Sequence, residues 1–284
     1  MRFVKGHGTE NDFVILPDPD GVLDLTPRAV ARLCDRRAGI GADGVLRVVR
    51  TKAAGDPAIE AMAGRAEWFM DYRNADGGIA EMCGNGARVF ARYLVDSGLA
   101  APGEWDLATR AGPRRVTLGS SGDVSVDMGP PEYLGTGHAS ISGHQYTGER
   151  ISMGNPHLAC AIDEPLSGLD LTRPPSYDPA QFPDGVNVEF YRAIGERHLE
   201  MRVYERGSGE TRSCGTGTVA AVAAASHQAR GTSRTARPGQ VEEWTVDVPG
   251  GRVHVTLDGT TGHLRGPAVL VAEGEIFLDR ITGP

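Results

Sequence analysis

The sequence predicts an α+β protein of two pseudo-symmetric halves, each a mixed, largely antiparallel curved sheet or barrel around a central helix, with an active site in the cleft between them. Three observations lead there. Short alternating or β-branched runs bounded by Gly, Pro or Asp fill most of the chain. Two apolar helical runs each open on a Cys-Gly-x-Gly turn. The stretches around those turns match one another in register. At 284 residues the chain is long enough for two such halves, and 39 glycines with only 6% aromatics suit many tight turns.

In chain order, Thr26-Pro27 opens a helix through about Arg37, with Thr as N-cap, Pro in the first turn and Gly39 past the end. Val30, Leu33 and Cys34 share its inner face, so Cys34 reads as core. Strands are expected at Val45–Arg50, Glu67–Tyr72, Arg114–Leu118 and Val124–Met128. The run from Gly86 puts Val89, Phe90, Tyr93 and Leu94 on one stripe and stops at Gly98. Alternation ends at Asp127–Pro131, where a Pro-Pro pair marks the junction between residues 1–128, completed by 267–284, and residues 129–266. Leu158–Ile162 is strand-like, which makes Cys160 core. Residues 163–184 carry five prolines and read as an irregular surface excursion. Further strands follow at Val186–Tyr191, His198–Tyr204, Val241–Val248, Arg252–Leu257 and Ala268–Ala272. The run from Gly217 is apolar nearly all round until Ser226, as for a helix enclosed by protein.

Duplication rests on residues. Asn74-Ala-Asp-Gly through Cys83-Gly-Asn-Gly aligns with Glu205-Arg-Gly-Ser through Cys214-Gly-Thr-Gly, and a tyrosine-bearing strand precedes both. A weaker echo pairs Asn11-Asp12-Phe13 with Asn155-Pro156-His157.

A net charge of −8 with no Lys/Arg block argues against nucleic acid or an anionic membrane as partner. The N-terminal segment has no apolar stretch of the length of a signal peptide core, and the longest small-apolar run, Val219 to Ala225, is far short of a membrane span, so a cytoplasmic protein acting on a small molecule is expected. Only Lys5 and Lys52 could form a Schiff base among 27 arginines and two lysines. The four cysteines form no C-x-x-C pair and the histidines no H-x-x-x-H spacing, so no metal site is expected.

A cysteine at a strand-to-helix turn, followed by glycines, sits where the helix dipole favours negative charge, so Cys83 and Cys214 are expected to ionise easily. The amides of Gly84, Asn85, Gly215 and Thr216 suit a carboxylate. Two such turns suit the placing of one thiol on each face of a single carbon: a thiolate removes a Cα proton, and a thiol delivers one to the opposite face. The scheme needs no cofactor.

These residues give the chain its likeness. With Gly6-His7-Gly8, Asn11-Asp12-Phe13, Gly39 to Gly44, Asn74-Ala75-Asp76-Gly77, Met82 to Arg88, Met153 to His157, Val186-Asn187-Val188, Tyr204 to Gly207 and Cys214 to Gly217, it resembles the diaminopimelate epimerase family along most of its length. The resemblance implies interconversion of LL- and meso-2,6-diaminopimelate for lysine and peptidoglycan synthesis, without cofactor. It implies Cys83 and Cys214 as the acid/base pair. It puts Asn11, Asn74, Asn155, Asn187, Glu205, Arg206 and the amides of 84–85 and 215–216 on the substrate, and His157 and Glu205 as tuners of the thiols. Arg206 suits a distal carboxylate and Glu205 an ammonium.

Two positions depart from the pattern: Glu10 replaces the usual glycine before Asn-Asp, and Gly44 replaces a glutamine. Without the family pattern, Asn11, Asn155 and Asn187 would serve as turn formers, and Glu205-Arg206 as a solvated ion pair. The competing functions are a proline or hydroxyproline racemase-like enzyme, a cysteine hydrolase using His157, and a thiol switch. The sequence leaves a homodimer open.

Overall fold

The first two strands, β1 (Arg2–Gly8) and β2 (Asn11–Pro17), form a hairpin whose register pairs Gly8 with Asn11. A two-residue connection between right-twisted strands needs left-handed backbone at both positions, and Thr9 and Glu10 adopt it with φ of 51° and 61°. Glu10 therefore keeps the path a glycine would give. The computed structural model describes residues 1–119, 122–230 and 241–277. These divide into two compact units, Met1–Val126 with the chain from Pro267 onward, and Asp127–Gly266. Residues 278–284, counted with the first half above, lie outside the described residues.

In the first unit β2 is followed by α1 (Pro27–Cys34), β3 (Gly44–Arg50), the short α2 (Pro57–Glu60), β4 (Trp68–Asn74), α3 (Gly84–Asp96), β5 (Gly103–Leu107), β6 (Arg114–Leu118) and β7 (Val124–Gly129). Thr26 caps α1 by accepting from the Ala29 amide, with Pro27 in the first turn, as expected. The helix stops at Cys34, three residues short of the expected end. The Asp35 carboxylate accepts the Arg37 and Ala38 amides, each at 2.7 Å, and turns the chain out of the helix. Cys34 lies in a core cluster with Val14, Leu16, Val30, Leu33 and Val45.

The second unit runs β8 (Glu132–Ile141), β9 (His144–Ser152), β10 (Pro156–Ala161), β11 (Ser176–Tyr177), β12 (Asn187–Gly195), β13 (His198–Glu205), β14 (Gly209–Thr211), α4 (Gly215–Arg230), β15 (Glu242–Val248), β16 (Gly251–Leu257) and β17 (Gly262–Gly266). Its strands lie side by side in the order β11-β8-β9-β10-β12-β13-β15-β16-β17, with β14 on β13. The β10–β12 and β13–β15 pairs are parallel and the rest antiparallel. The excursion 163–184 is more than a surface loop: Leu166, Leu171 and Phe182 are buried with Leu158, Cys160, Val188 and Phe190.

The chain then returns to the first unit with β18 (Val269–Glu275), completing a five-stranded sheet of order β18-β1-β2-β3-β4 in which only β2–β3 is parallel. Each unit wraps strands around one helix. Helix α3 packs on β1, β2, β3, β4, β6 and β18, and α4 on β9, β10, β12, β13, β16 and β17. Val219 to Ala224 of α4 are fully buried. Valines so buried contribute about 1.5–3 kcal/mol each, and the alanines let the sheet approach.

Candidate active site

Both candidate cysteines stand at helix starts. Cys83 is the N-cap of α3, with extended backbone, and its sulfur accepts the Gly86 amide at 3.3 Å. The Cys214 sulfur accepts the Gly217 amide at 3.4 Å in the same way. The helices thus open at Gly84 and Gly215, two residues before the starts read from the sequence, because the cysteine side chain itself caps them. The first amides of each helix have no intrahelical partner, so those of Gly84, Asn85, Gly215 and Thr216 point outward from a positive dipole end. At Gly86 a Cβ would come within 3.2 Å of Leu46, and at Gly217 within 2.5 Å of Glu189 Oε1. The last glycine of each motif makes room for what packs on the first turn.

In the first unit, Asn11 bridges to Cys83's helix. Its Nδ2 donates to Asp43 Oδ2 at 2.7 Å, and its Oδ1 accepts from Asn85 Nδ2 at 3.2 Å and lies 3.9 Å from the Cys83 sulfur. Asp43 in turn bonds Arg36, which also grips Asp12. Burial alone would raise the Asp12 carboxyl, but bonds and charges from Arg36 and Lys5 overrule it and hold it at about 2. At the other end, Arg88 donates to Asn85 Oδ1 at 2.6 Å, to the Thr9 hydroxyl and to the Pro267 carbonyl while wholly buried. Arg88 and Asp43 were not singled out from the sequence. Arg88 stands one turn beyond the motif cysteine and is the only charged side chain in that turn, which was the available signal.

Asn74 ends β4 in a turn closed by the Gly77 amide on its carbonyl. Gly44, beside it in register, has no room for glutamine: a Cβ there would meet the Arg73 carbonyl at 2.6 Å and the Tyr72 ring at 2.7 Å.

The second unit groups Asn155, His157, Glu189, Glu205, Thr216 and Cys214. His157 and Glu189 are both fully buried and 2.7 Å apart through Nδ1 and Oε1. His157 Nε2 meets Asn155 Oδ1 at 2.9 Å, Asn155 Nδ2 reaches the Thr216 hydroxyl at 3.5 Å, and that hydroxyl is 3.5 Å from the Cys214 sulfur. The ring's direct partners are thus a carboxylate and an amide. Glu189 was missed by the sequence reading because it falls one residue past the Val186-Asn187-Val188 segment and has no partner within reach in the chain.

The expectation of an easily ionised thiol fails at Cys214. Burial pushes that thiol well above its ordinary value, and the Glu205 carboxylate adds to the rise against the Thr216 hydroxyl and Gly217 amide. Burial also raises Glu205, to about 6, although the Thr211 hydroxyl bonds it. Cys34 and Cys160 are raised by burial, as inert core thiols should be.

Asn187 donates to the Pro156 carbonyl and accepts from the Arg206 amide, so it ties β12 to β10 and to the turn after β13. Glu205 and Arg206 do not pair with one another; the Arg206 guanidinium donates to the Asp184 carbonyl at 2.9 Å and, among the described residues, has its other donors open on an exposed side chain. No helix among the described residues is long and apolar enough to cross a membrane.

An α+β architecture of strand-wrapped helices defines a fold class also found in solved structures. A hydroxyproline epimerase from Agrobacterium vitis superimposes with a TM-score of 0.66 at 17% identity, covering 97% of this chain and 90% of that one, which establishes the shared fold. Residues 3–134 and 150–275 match the model of the diaminopimelate epimerase family. The chain is 56% identical to the diaminopimelate epimerase of Thermobifida fusca, over 99% of this chain and all of that one. It is 51% identical to that of Mycolicibacterium smegmatis, over 97% of each. The chain belongs to the diaminopimelate epimerase family.

Proposed function

We infer that this protein is an isomerase that interconverts LL- and meso-2,6-diaminopimelate in lysine biosynthesis, and that Cys83 and Cys214 are its acid/base pair. The carrying observation is full-length membership of the family together with a cysteine at the cap of each enclosed helix. A thiolate at one cysteine takes the α-proton, the thiol of the other returns a proton to the opposite face, and the roles reverse for the opposite direction. Charge developing on the α-carboxylate is met by the amides of Gly84 and Asn85 and of Gly215 and Thr216, which are oriented before the reaction begins.

The raised thiol of Cys214 suits the proton-delivering role in the free enzyme. An α-ammonium settling beside Glu205 would neutralise the carboxylate that holds this thiol up, so substrate arrival readies Cys214 for the reverse reaction. Arg206 has guanidinium donors left for the distal carboxylate, with Asn187 holding its backbone. Asn74, Asn11 and Asn155 complete recognition with uncharged donors and acceptors. A hydroxyproline epimerase-like activity is disfavoured, because the likeness to such enzymes extends to fold alone while family and relatives agree on diaminopimelate.

The test incubates purified protein with LL-diaminopimelate in D2O. Wild type is expected to give meso product carrying α-deuterium, and Cys83→Ala and Cys214→Ala to lose turnover. No exchange by reduced wild type would sink the substrate assignment; turnover surviving either substitution would sink the two-thiol mechanism.

A further inference from the structure

Between Glu189 and the Cys214 sulfur runs an unbroken line of hydrogen-bonding groups whose direction can be worked out. If Asn155 presents its oxygen to His157 Nε2, that nitrogen must carry a proton, since an amide oxygen only accepts. The contact between Nδ1 and Glu189 Oε1 then needs one further proton, on either atom. Both placements leave the pair with no net charge. The reversed amide would leave a neutral histidine facing an ionised Glu189, an uncompensated charge at zero exposure whose second oxygen, Oε2, has no partner among the described residues. Burial favours the neutral pair.

The amide orientation propagates. With its oxygen on His157, Asn155 turns Nδ2 toward the Thr216 hydroxyl, whose oxygen accepts and whose own proton is left to donate to the Cys214 sulfur. We propose that Glu189 is a positioning residue for Cys214: by sharing one proton with His157 it fixes Asn155, and through it directs the Thr216 O–H onto the sulfur. A hydroxyl donating to sulfur favours thiolate; a hydroxyl turned the other way would accept from the thiol. The titratable groups facing this line are Glu205 from β13, Glu189 from β12 and His157 from β10. The inference rests on Cys214 being one of the acid/base groups.

The pH dependence of iodoacetamide alkylation at Cys214, mapped by mass spectrometry, reads the effect without substrate. Glu189→Met removes the proton-sharing partner, and the midpoint is expected to rise. Thr216→Val is expected to raise it by a similar amount, and the double variant by no more than either. Glu189→Gln, whose amide can still donate to Nδ1, is expected to restore the wild-type midpoint. A midpoint that falls in Glu189→Met would show Glu189 acting as a bare charge, and additive shifts would show two separate effects; either overturns the proposal. Nitrogen-15 spectra of wild-type His157 give a reading that needs no variant to fold, with protonated Nε2 expected and an unprotonated Nε2 overturning the proposal. Failure of wild type to exchange diaminopimelate would bear on the substrate alone and leave these readouts intact.

Discussion

At Gly217 one methyl group separates a working helix start from a blocked one. Alanine is the better helix former by about 1 kcal/mol, yet its Cβ would stand 2.5 Å from a carboxylate oxygen that is itself locked by His157. Gly217→Ala is therefore expected to destabilise by about 1–3 kcal/mol, the usual range for overpacking, with loss of turnover. Thermal melts that rise or stay level would show the carboxylate free to move. Glu10 works in the opposite sense. Its left-handed backbone costs a non-glycine residue about 1–2 kcal/mol, so Glu10→Gly should raise stability by up to about 1 kcal/mol after the extra freedom of the unfolded glycine is deducted. Thr9, equally left-handed, is not expected to tolerate the same change, because its hydroxyl receives Arg88.

Helix α3 joins stability and chemistry in a single side chain. Cys83 both caps the helix and carries the reacting sulfur, and serine is a stronger cap than most residues. Cys83→Ser should leave chemical-denaturant stability within about 1 kcal/mol of wild type while abolishing α-deuterium incorporation. A large stability loss would mean that the sulfur fills space serine cannot. At this scale the sequence was legible where a pattern had a physical cause of its own, as with the Thr26-Pro27 start of α1 or the apolar run of α4. It was silent for β8 and β9. Gly-rich, largely exposed residues such as Gly135 and Thr136 form a strand there only because a neighbour supplies the ladder. The continuous apolar run of β2, buried on both faces, likewise lacks the alternation that announces a strand.

Two half-buried carboxyls on different units give the molecule opposite pH responses. Glu205 is raised by burial from an ordinary 4.5 to about 6. The native state thus holds this proton more tightly than the unfolded chain, and the associated stability is complete below pH 4.5 and lost as pH rises through 6, about 2 kcal/mol in all. Asp12 is depressed from 3.8 to about 2, so its contribution is complete above 3.8 and lost as pH falls through 2. Urea unfolding across this span should show Glu205→Gln flattening the slope between pH 4.5 and 6, and Asp12→Asn flattening the decline below 4. A Glu205→Gln curve parallel to wild type throughout would remove the assigned rise.

The sequence by itself determined the α+β class, the two helices that follow the Cys-Gly-x-Gly turns and family membership, because each rests on local chemistry: a turn, a periodicity, an ordered set of short motifs. Tertiary structure alone decided what surrounds the sulfurs. Glu189 meets His157 across a strand pair 32 residues apart in the chain, and Arg88 meets Thr9 across 79. No local pattern encodes such contacts. The same holds for Cys214, whose motif promised a ready thiolate. A helix dipole is visible in sequence, whereas the burial and the Glu205 carboxylate that push this thiol up exist only once the sheet has closed around the helix.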